Sequence, residues 1–201
     1  MTGILHPLQD LVDLVNVGYP RGGLARPGLT AGPCLFKDGF FLINQLPFTE
    51  LISTSWKINE SVPIFMVSAV KAETELRNAN AAILGAAFKA DSDDDRQSLT
   101  YKVAKALRRE RAKVRIHDPH VPGLETDLED ILRDADVVFV AINHREYKQI
   151  GLKRLQQLVK PGCLICDIWN VFGTDHTIFR AGNPQPEPSR RLKLSLGPVA
   201  D

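Results

Sequence analysis

Five consecutive apolar residues, Val137-Val138-Phe139-Val140-Ala141, constrain the fold more than any other feature of the chain. An apolar run with no alternating polar position is a strand buried on both faces, the habit of parallel sheets covered by helices on each side. The flanking sequence repeats the theme. Residues 81–84 form a second short apolar run, ending at Gly85. Lys113–His117 alternates apolar and polar residues and stops at Asp118-Pro119, and Leu164–Asp167 reads as a further strand. Between these runs, Leu99, Val103 and Leu107 recur at helical spacing. Leu128, Ile131 and Leu132 fit a short helix, and Ile150, Leu155 and Leu158 suggest another, ended by Lys160-Pro161-Gly162. Asp93, Asp94 and Asp95 precede the first of these helices, where carboxylates can cap amide groups. This alternation with short loops predicts an α/β, doubly wound, Rossmann-like parallel sheet with flanking helices. Ligands on such sheets bind at the carboxyl ends of the strands. Residues 85–96, 118–121, 141–144 and 167–170 are therefore expected along one rim.

The ends of the chain have a different texture. Residues 1–76 read as a helical arm. Leu8, Leu11 and Leu14, with Val12 and Val15, make an apolar stripe, and helices are expected over about 40–46 and 49–71, interrupted near Pro47 and Pro63. The arm has too little core of its own and is expected to pack on the sheet domain or on a second subunit. Residues 77–180 are the sheet domain. Residues 181–201 carry prolines at 184, 186, 188 and 198 and read as a mobile tail.

Bulk properties exclude several classes of function. Lysine plus arginine number 25 and aspartate plus glutamate 24, a net charge of +1, so no basic surface for nucleic acid is expected. No apolar run approaches the roughly 18 residues of a membrane span, and the start does not read as a secretory signal. Three cysteines, Cys34, Cys163 and Cys166, are too few for a disulfide framework and point to the reducing cytoplasm. Cys163-x-x-Cys166 is half of a zinc pattern with no second pair, and Cys166 falls inside an apolar strand, so no metal is expected.

Two loops carry possible chemistry. The first is PGLTAGPCLFKD, residues 27–38, where glycines let the backbone approach a ligand closely. There Cys34 is either a nucleophile beside Lys37 or a small core residue, the commoner fate of a free cysteine. The second is GAAFKADSDDDR, residues 85–96, which follows a strand and opens a helix, the position where phosphates are held. It lacks the G-x-G-x-x-G fingerprint. Lys89 and Arg96 either supply charge to a phosphate or neutralise the aspartates around them. His120 reads as a solvated loop histidine, and His144 as either a ligand contact or a packing residue.

The order and spacing of these loops resemble the UDP-glucose/GDP-mannose, or nucleotide-sugar, dehydrogenase family. PGLTAGPCLFKDGFFL is similar to the family's catalytic-cysteine loop, and ILGAAFKADSDDDRQS to its ILG-x-x-FK segment. INESVP at 58–63, VRIHDPHV at 114–121, DADVVFVAINHREY at 134–147 and DIWNVFG at 167–173 extend the resemblance over most of the chain. The resemblance implies NAD-dependent oxidation of a sugar C6 alcohol to a carboxylate through a thiohemiacetal and a thioester on Cys34. It implies that Asp38 assists water or proton transfer and that Lys37 is its electrostatic partner. It places Lys89, Phe88, Leu35 and Phe36 on the substrate, Arg21 on the substrate of a neighbouring subunit, and Arg96 opposite the nicotinamide. UDP is favoured over GDP.

Two departures qualify that picture. Ala31-Gly32-Pro33 stands where the family usually has a Gly-Gly pair, which stiffens the loop and leaves the nucleophile. The family's NAD-binding Rossmann domain and long central helix have no counterpart here. The resemblance thus covers the end of a central dimerisation domain (1–76, with the cysteine loop) and a UDP-sugar-binding domain (77–180). Three readings follow: the C-terminal portion of a dehydrogenase, incomplete alone and completed by a partner chain or homodimer; a UDP-sugar-binding module without chemistry; or a dimerisation arm. Neither nucleic acid nor membrane is an expected partner.

Overall fold

The computed structural model describes residues 8–182 apart from 20, 22 and 45. The expected proline-rich tail falls outside the described residues from 183 onward. The chain divides into two compact units, one holding residues up to Arg26 and the other beginning at Pro27. In the first, helix α1 (Leu8–Asn16) turns into a loop fastened by Asn16, whose amide donates to the Leu24 carbonyl at 3.0 Å and accepts from the Leu24 N–H at 2.6 Å. Of its apolar stripe, Val12 is buried while Leu11, Leu14 and Val15 stay exposed.

The second unit contains α2 (Pro33–Ile43), α3 (Glu50–Glu73), β1 (Asn80–Leu84), α4 (Thr100–Arg109), β2 (Lys113–His117), α5 (Leu128–Arg133), β3 (Val137–Val140), α6 (Arg145–Leu158), β4 (Leu164–Asp167) and β5 (Ile178–Arg180). The strands form one sheet in the order β2-β1-β3-β4-β5. The first four are parallel, in register Ala81↔Val114, Ala81↔Val137 and Val137↔Leu164. The fifth corrects the all-parallel expectation. β5 runs antiparallel to β4, with Ile165 opposite Phe179. Its three residues follow a loop over residues 168–177 rather than a helical crossover, and only a crossover can return a strand parallel.

Alternation along the strands sends side chains to two cores. Ala81, Ile83, Val137, Phe139, Leu164 and Cys166 face α3 and α4, whereas Ala82, Leu84, Val138, Val140 and Ile165 face α5 and α6. Burial on both sides is why β3 and β4 contain no solvent-facing position.

Three local expectations are corrected. Helix α2 begins at Pro33, not near residue 40, because proline suits a first helical turn that needs no N–H partner. Helix α3 runs through Pro63 without interruption. An interior proline costs about 3 kcal/mol, but Pro63, Met66, Val67 and Val70 lie at i, i+3, i+4 and i+7 and are all buried, so packing offsets the lost bond. The aspartate triplet does not cap α4. That helix starts from Leu99 with no side-chain cap. Helix α6 breaks internally at Gly151, between Ile150 and the Leu155 turn.

Candidate functional site

The carboxyl ends of β1, β2, β3 and β4 form the expected rim, and two buried aspartates organise it. Asp118, just after β2, is fully buried. Its Oδ2 accepts the backbone N–H groups of Ala86 at 2.6 Å and Ala87 at 2.9 Å, and its Oδ1 those of His120 at 2.8 Å and Val121 at 3.2 Å. His144, also fully buried, lies 3.0 Å from the same Oδ2 through Nε2. Burial pushes the Asp118 carboxyl up, but the hydrogen bonds from His144 and the amides outweigh it and hold the group well below the usual carboxylate range. His144 Nδ1 accepts the Asp91 N–H at 2.9 Å, so Nε2 carries the proton and donates to Asp118. His144 thus has the packing role the sequence offered, and its place on the rim leaves the ligand role open as well.

Beside it, the Tyr147 hydroxyl donates to the His117 carbonyl at 3.0 Å and accepts from His117 Nδ1 at 2.9 Å. Burial lowers the basicity of His117. At the end of β4, Asp167 is as buried as Asp118 but less well supplied. Phe172 N–H donates to Oδ2 at 2.9 Å while Oδ1 has no partner, and burial drives its pKa upward.

The cysteine loop is seated against this rim by named contacts. Gly28 lies directly under the Trp169 ring, since a Cβ built on it would fall 2.3 Å from the ring carbons. Trp169 is in turn fixed by its indole N–H, which donates to the Ala141 carbonyl at 2.7 Å. Leu29 enters the core beneath α3 and α4. The Asn59 side-chain amide donates to the Thr30 carbonyl at 2.7 Å. Gly32, at φ +120°, sits against the Phe88 ring, where a Cβ would approach to 3.0 Å. Four of the sequence motifs, around Asn59, Phe88, Ala141 and Trp169, thereby converge on the fifth.

Helix α2 starts at this seat. Cys34 is exposed, which overturns its reading as a small core residue. It lies in the first turn of α2, at the positive end of the helix dipole, and by helical spacing Lys37 and Asp38 share its face. Arg96 stands near enough for Coulomb attraction to the Cys34 sulfur. Its pKa is raised, mainly by its hydrogen bond to Asp94 and least by Cys34. The guanidinium grips both Asp94 oxygens, Nε at 2.9 and 3.1 Å and Nη2 at 2.7 Å. Arg96 therefore does one of the two things the sequence left open, neutralising a loop aspartate. Lys89 is exposed one residue after Phe88. A small solvent-open cleft lies beside the start of α2, walled by Gly32, Leu35, Phe36, Trp56, Asn59 and Gln97. The Trp56 indole N–H on its wall is buried and makes no hydrogen bond. Arg21 belongs to the other compact unit and is exposed.

Sequence reasoning passed over Asn59 and Trp169 as functional supports. Their signals, a polar residue in a helical stretch and a lone tryptophan after a strand, carry no chemistry until the loop is seated on them. It also set His120 aside as solvated, yet His120 is partly buried and faces Glu146 at 3.3 Å.

A dinucleotide does not fit the β1 turn. In nucleotide-binding turns the amides after the first strand point at a pyrophosphate. Here the Ala86 and Ala87 amides are already given to Asp118. Among the described residues, no helix is long and apolar enough to cross a membrane.

Comparison with known proteins agrees with this geometry. Residues 82–174 match the UDP-glucose/GDP-mannose dehydrogenase family, UDP binding domain. A UDP-N-acetyl-D-mannosamine dehydrogenase of Pyrococcus horikoshii is 30% identical over 165 residues, which are 79% of this chain and 39% of that protein. The solved structure of the UDP-D-ManNAc dehydrogenase from Pyrococcus horikoshii superposes with a TM-score of 0.73 at 29% identity, over 83% of this chain and 41% of that one. An NDP-N-acetyl-D-galactosaminuronic acid dehydrogenase from Methanosarcina mazei Go1 gives a TM-score of 0.73 at 27% identity, over 84% and 41%. The chain spans about two fifths of the length of these relatives. By its rim motifs, its fold and these matches, residues 82–174 are the counterpart of the UDP binding domain of the UDP-glucose/GDP-mannose dehydrogenase family.

Proposed function

We propose that this chain is the UDP-sugar-binding, cysteine-bearing portion of an NAD-dependent nucleotide-sugar 6-dehydrogenase, which oxidises a C6 alcohol to the uronate. The observation that carries the reading is the exposure of Cys34 in the first turn of α2, at the end of a loop seated against Phe88 and Trp169, with Arg96 near enough to feel its charge. The two hydride removals require a nicotinamide dinucleotide bound outside the described residues, and no residue here is assigned to them. The chain contributes the sulfur chemistry. The Cys34 thiolate attacks the C6 aldehyde carbon, a C–S bond forms, and the carbonyl oxygen takes a proton to give a thiohemiacetal. Once that carbon has been oxidised to the thioester, water attacks it and the C–S bond breaks. The thiolate leaves and the carboxylate remains. Asp38 accepts the proton from water, and Lys37 balances the charge on oxygen. Lys89 binds the diphosphate, with Phe88, Leu35 and Phe36 against the sugar. Arg96 faces the nicotinamide across the cleft, and Arg21 reaches the substrate of a neighbouring subunit.

Titration calorimetry with UDP and with UDP-N-acetyl-D-mannosamine tests the binding half. Saturable binding is expected, weakened about 10–100-fold by Lys89→Ala, since a charge-assisted contact is worth about 1.5–3 kcal/mol, and unchanged by Cys34→Ser. Folded protein that shows no heat with either ligand at millimolar concentration would sink the proposal.

A second reading, a subunit interface, is favoured by one further observation. Helix α2 has no buried residue, and Phe41, Phe48, Leu51, Ile58 and Phe65 are between 61% and 83% exposed. Such exposed apolar side chains are what a homodimer or a completing chain would cover. Light scattering at high protein concentration tests it, and a strictly monomeric mass argues against it.

A further inference from the structure

Three rim loops bring four potential metal ligands together. Asp91 comes from the loop after β1, His120 from the turn after β2, and His144 and Glu146 from the start of α6 after β3. One ligand atom from each lies within 4.8 Å of all the others. This is the topological switch point of the sheet, where the connection from β1 runs to one side and that from β3 to the other, leaving a crevice between the loops. The His120 and His144 rings are 4.9 Å apart between centroids, and His120 Nε2 is 3.3 Å from Glu146 Oε1. Two atoms here are buried without a hydrogen-bond partner, His120 Nε2 and Glu146 Oε2. Both come from the four-residue cluster, and native proteins leave few such atoms unexplained.

We propose that Asp91, His120, His144 and Glu146 form a site for a divalent first-row transition metal, with zinc the best chemical match. Two imidazoles and two carboxylates are a borderline nitrogen and oxygen set, and two carboxylates balance a dication. His144 is already held as a metal-binding histidine is. Its Nε2–H is committed to the buried Asp118 carboxylate, which leaves the Nδ1 lone pair turned toward the cluster. Zinc bonds of about 2.0–2.2 Å put tetrahedral ligands roughly 3.4 Å apart, so the set must contract. His120 and Glu146 contract by side-chain rotation. His144 Nδ1 must release the Asp91 N–H it now accepts. Asp91 is the weakest member, because Arg145 already holds it, through its backbone N–H at 3.0 Å and its guanidinium Nε at 2.8 Å. The site shares no residue with the cleft at the start of α2 and does not rest on the function proposed above.

The test uses the chain stripped with a chelator and titrated with zinc chloride, followed by calorimetry and thermal melting. Cobalt(II) absorption serves as a second probe. One metal per chain is expected, with a rise in melting temperature that grows with metal concentration. His120→Ala and Glu146→Gln should each weaken binding about 10-fold or more while leaving the circular dichroism of the metal-free chain unchanged. Asp91→Asn should weaken it least. Cobalt should give tetrahedral visible bands with no sulfur charge-transfer band. Absence of stoichiometric binding, affinity retained in both His120→Ala and Glu146→Gln, or a sulfur band pointing to the cysteines would each overturn the site.

Discussion

The sheet and the α2–α3 hairpin belong to one compact unit but are finished to different degrees. In the sheet, β3 and β4 are buried at every position, and the two cores on either face are filled by aliphatic side chains with a few aromatic rings. In the hairpin, α2 buries nothing. Phe36 and Phe40 meet the Trp56 ring, at centroid distances of 6.5 and 5.3 Å, and α3 shows Leu51, Ile58, Ile64 and Phe65 to solvent. The sheet supplies the stability. The hairpin carries the exposed Cys34 and leaves apolar surface for something else to cover. Reactive groups and unpaired surface are found together because neither is available inside a finished core.

Thiol chemistry should separate the two regions most sharply. Burial pushes Cys163 and Cys166 up to about 12, whereas Cys34 is exposed. At pH 8 that alone cuts the thiolate fraction of the buried pair about four orders of magnitude below full ionisation. Iodoacetamide followed by peptide mass mapping should find the label on Cys34 alone in native protein, and comparable labelling of all three would dissolve the contrast. Next in size, Phe139→Ala should cost about 3–5 kcal/mol in denaturant unfolding, as the central ring of the sheet leaves a cavity that its neighbours cannot close. A cost under about 1 kcal/mol would mean that the sheet is not the stabilising element.

Gly28→Ala joins the regions. Its methyl group must displace the Trp169 ring, so about 1–3 kcal/mol and a change in tryptophan fluorescence are expected. An unperturbed emission spectrum with unchanged stability would show that the loop is not seated there. The rim should also give the sheet its pH dependence. His117 has a folded pKa below its ordinary 6.5, so the unfolded chain takes up the proton first as pH falls. Stability should be full above pH 6.5 and decline below it. A second loss should begin below the ordinary aspartate value of 3.8, as Asp118 is drawn toward protonation. Denaturant midpoints that stay flat from pH 7 to 5 would contradict the first assignment. The smallest effect belongs to the hairpin surface. Phe41→Ser and Phe65→Ser should change unfolding by no more than about 0.5 kcal/mol while reducing any self-association seen by light scattering.

Much of the sheet was legible because its signals are local. An apolar run such as 137–141 has no alternative to burial on both faces, and Leu99, Val103 and Leu107 can share a face only in a helix. Where the reading failed, a long-range term outweighed a local one. Pro63 ends a helix on propensity grounds, yet Met66, Val67 and Val70 hold α3 onto α4. The three aspartates look like caps, yet Asp94 goes to Arg96 and Asp95 accepts from the Tyr101 hydroxyl. β5 is too short to announce itself and is held by pairing with β4.

At the site, the sequence named the two loops and the side chains on them. Their residue types and order suffice to suggest sulfur chemistry beside a phosphate-bearing rim. It left open whether Cys34 lay in the core or in solvent, because a cysteine beside apolar residues satisfies both. The sequence by itself determined the four parallel strands, the helices between them and the rim, since hydrophobic periodicity is written within a few residues. Only the tertiary structure decided that Asp118 takes the β1 amides, that Trp169 and Phe88 seat the cysteine loop, and that two histidines from different loops meet. Those are contacts between residues tens of positions apart, and their energies depend on burial that no local pattern encodes.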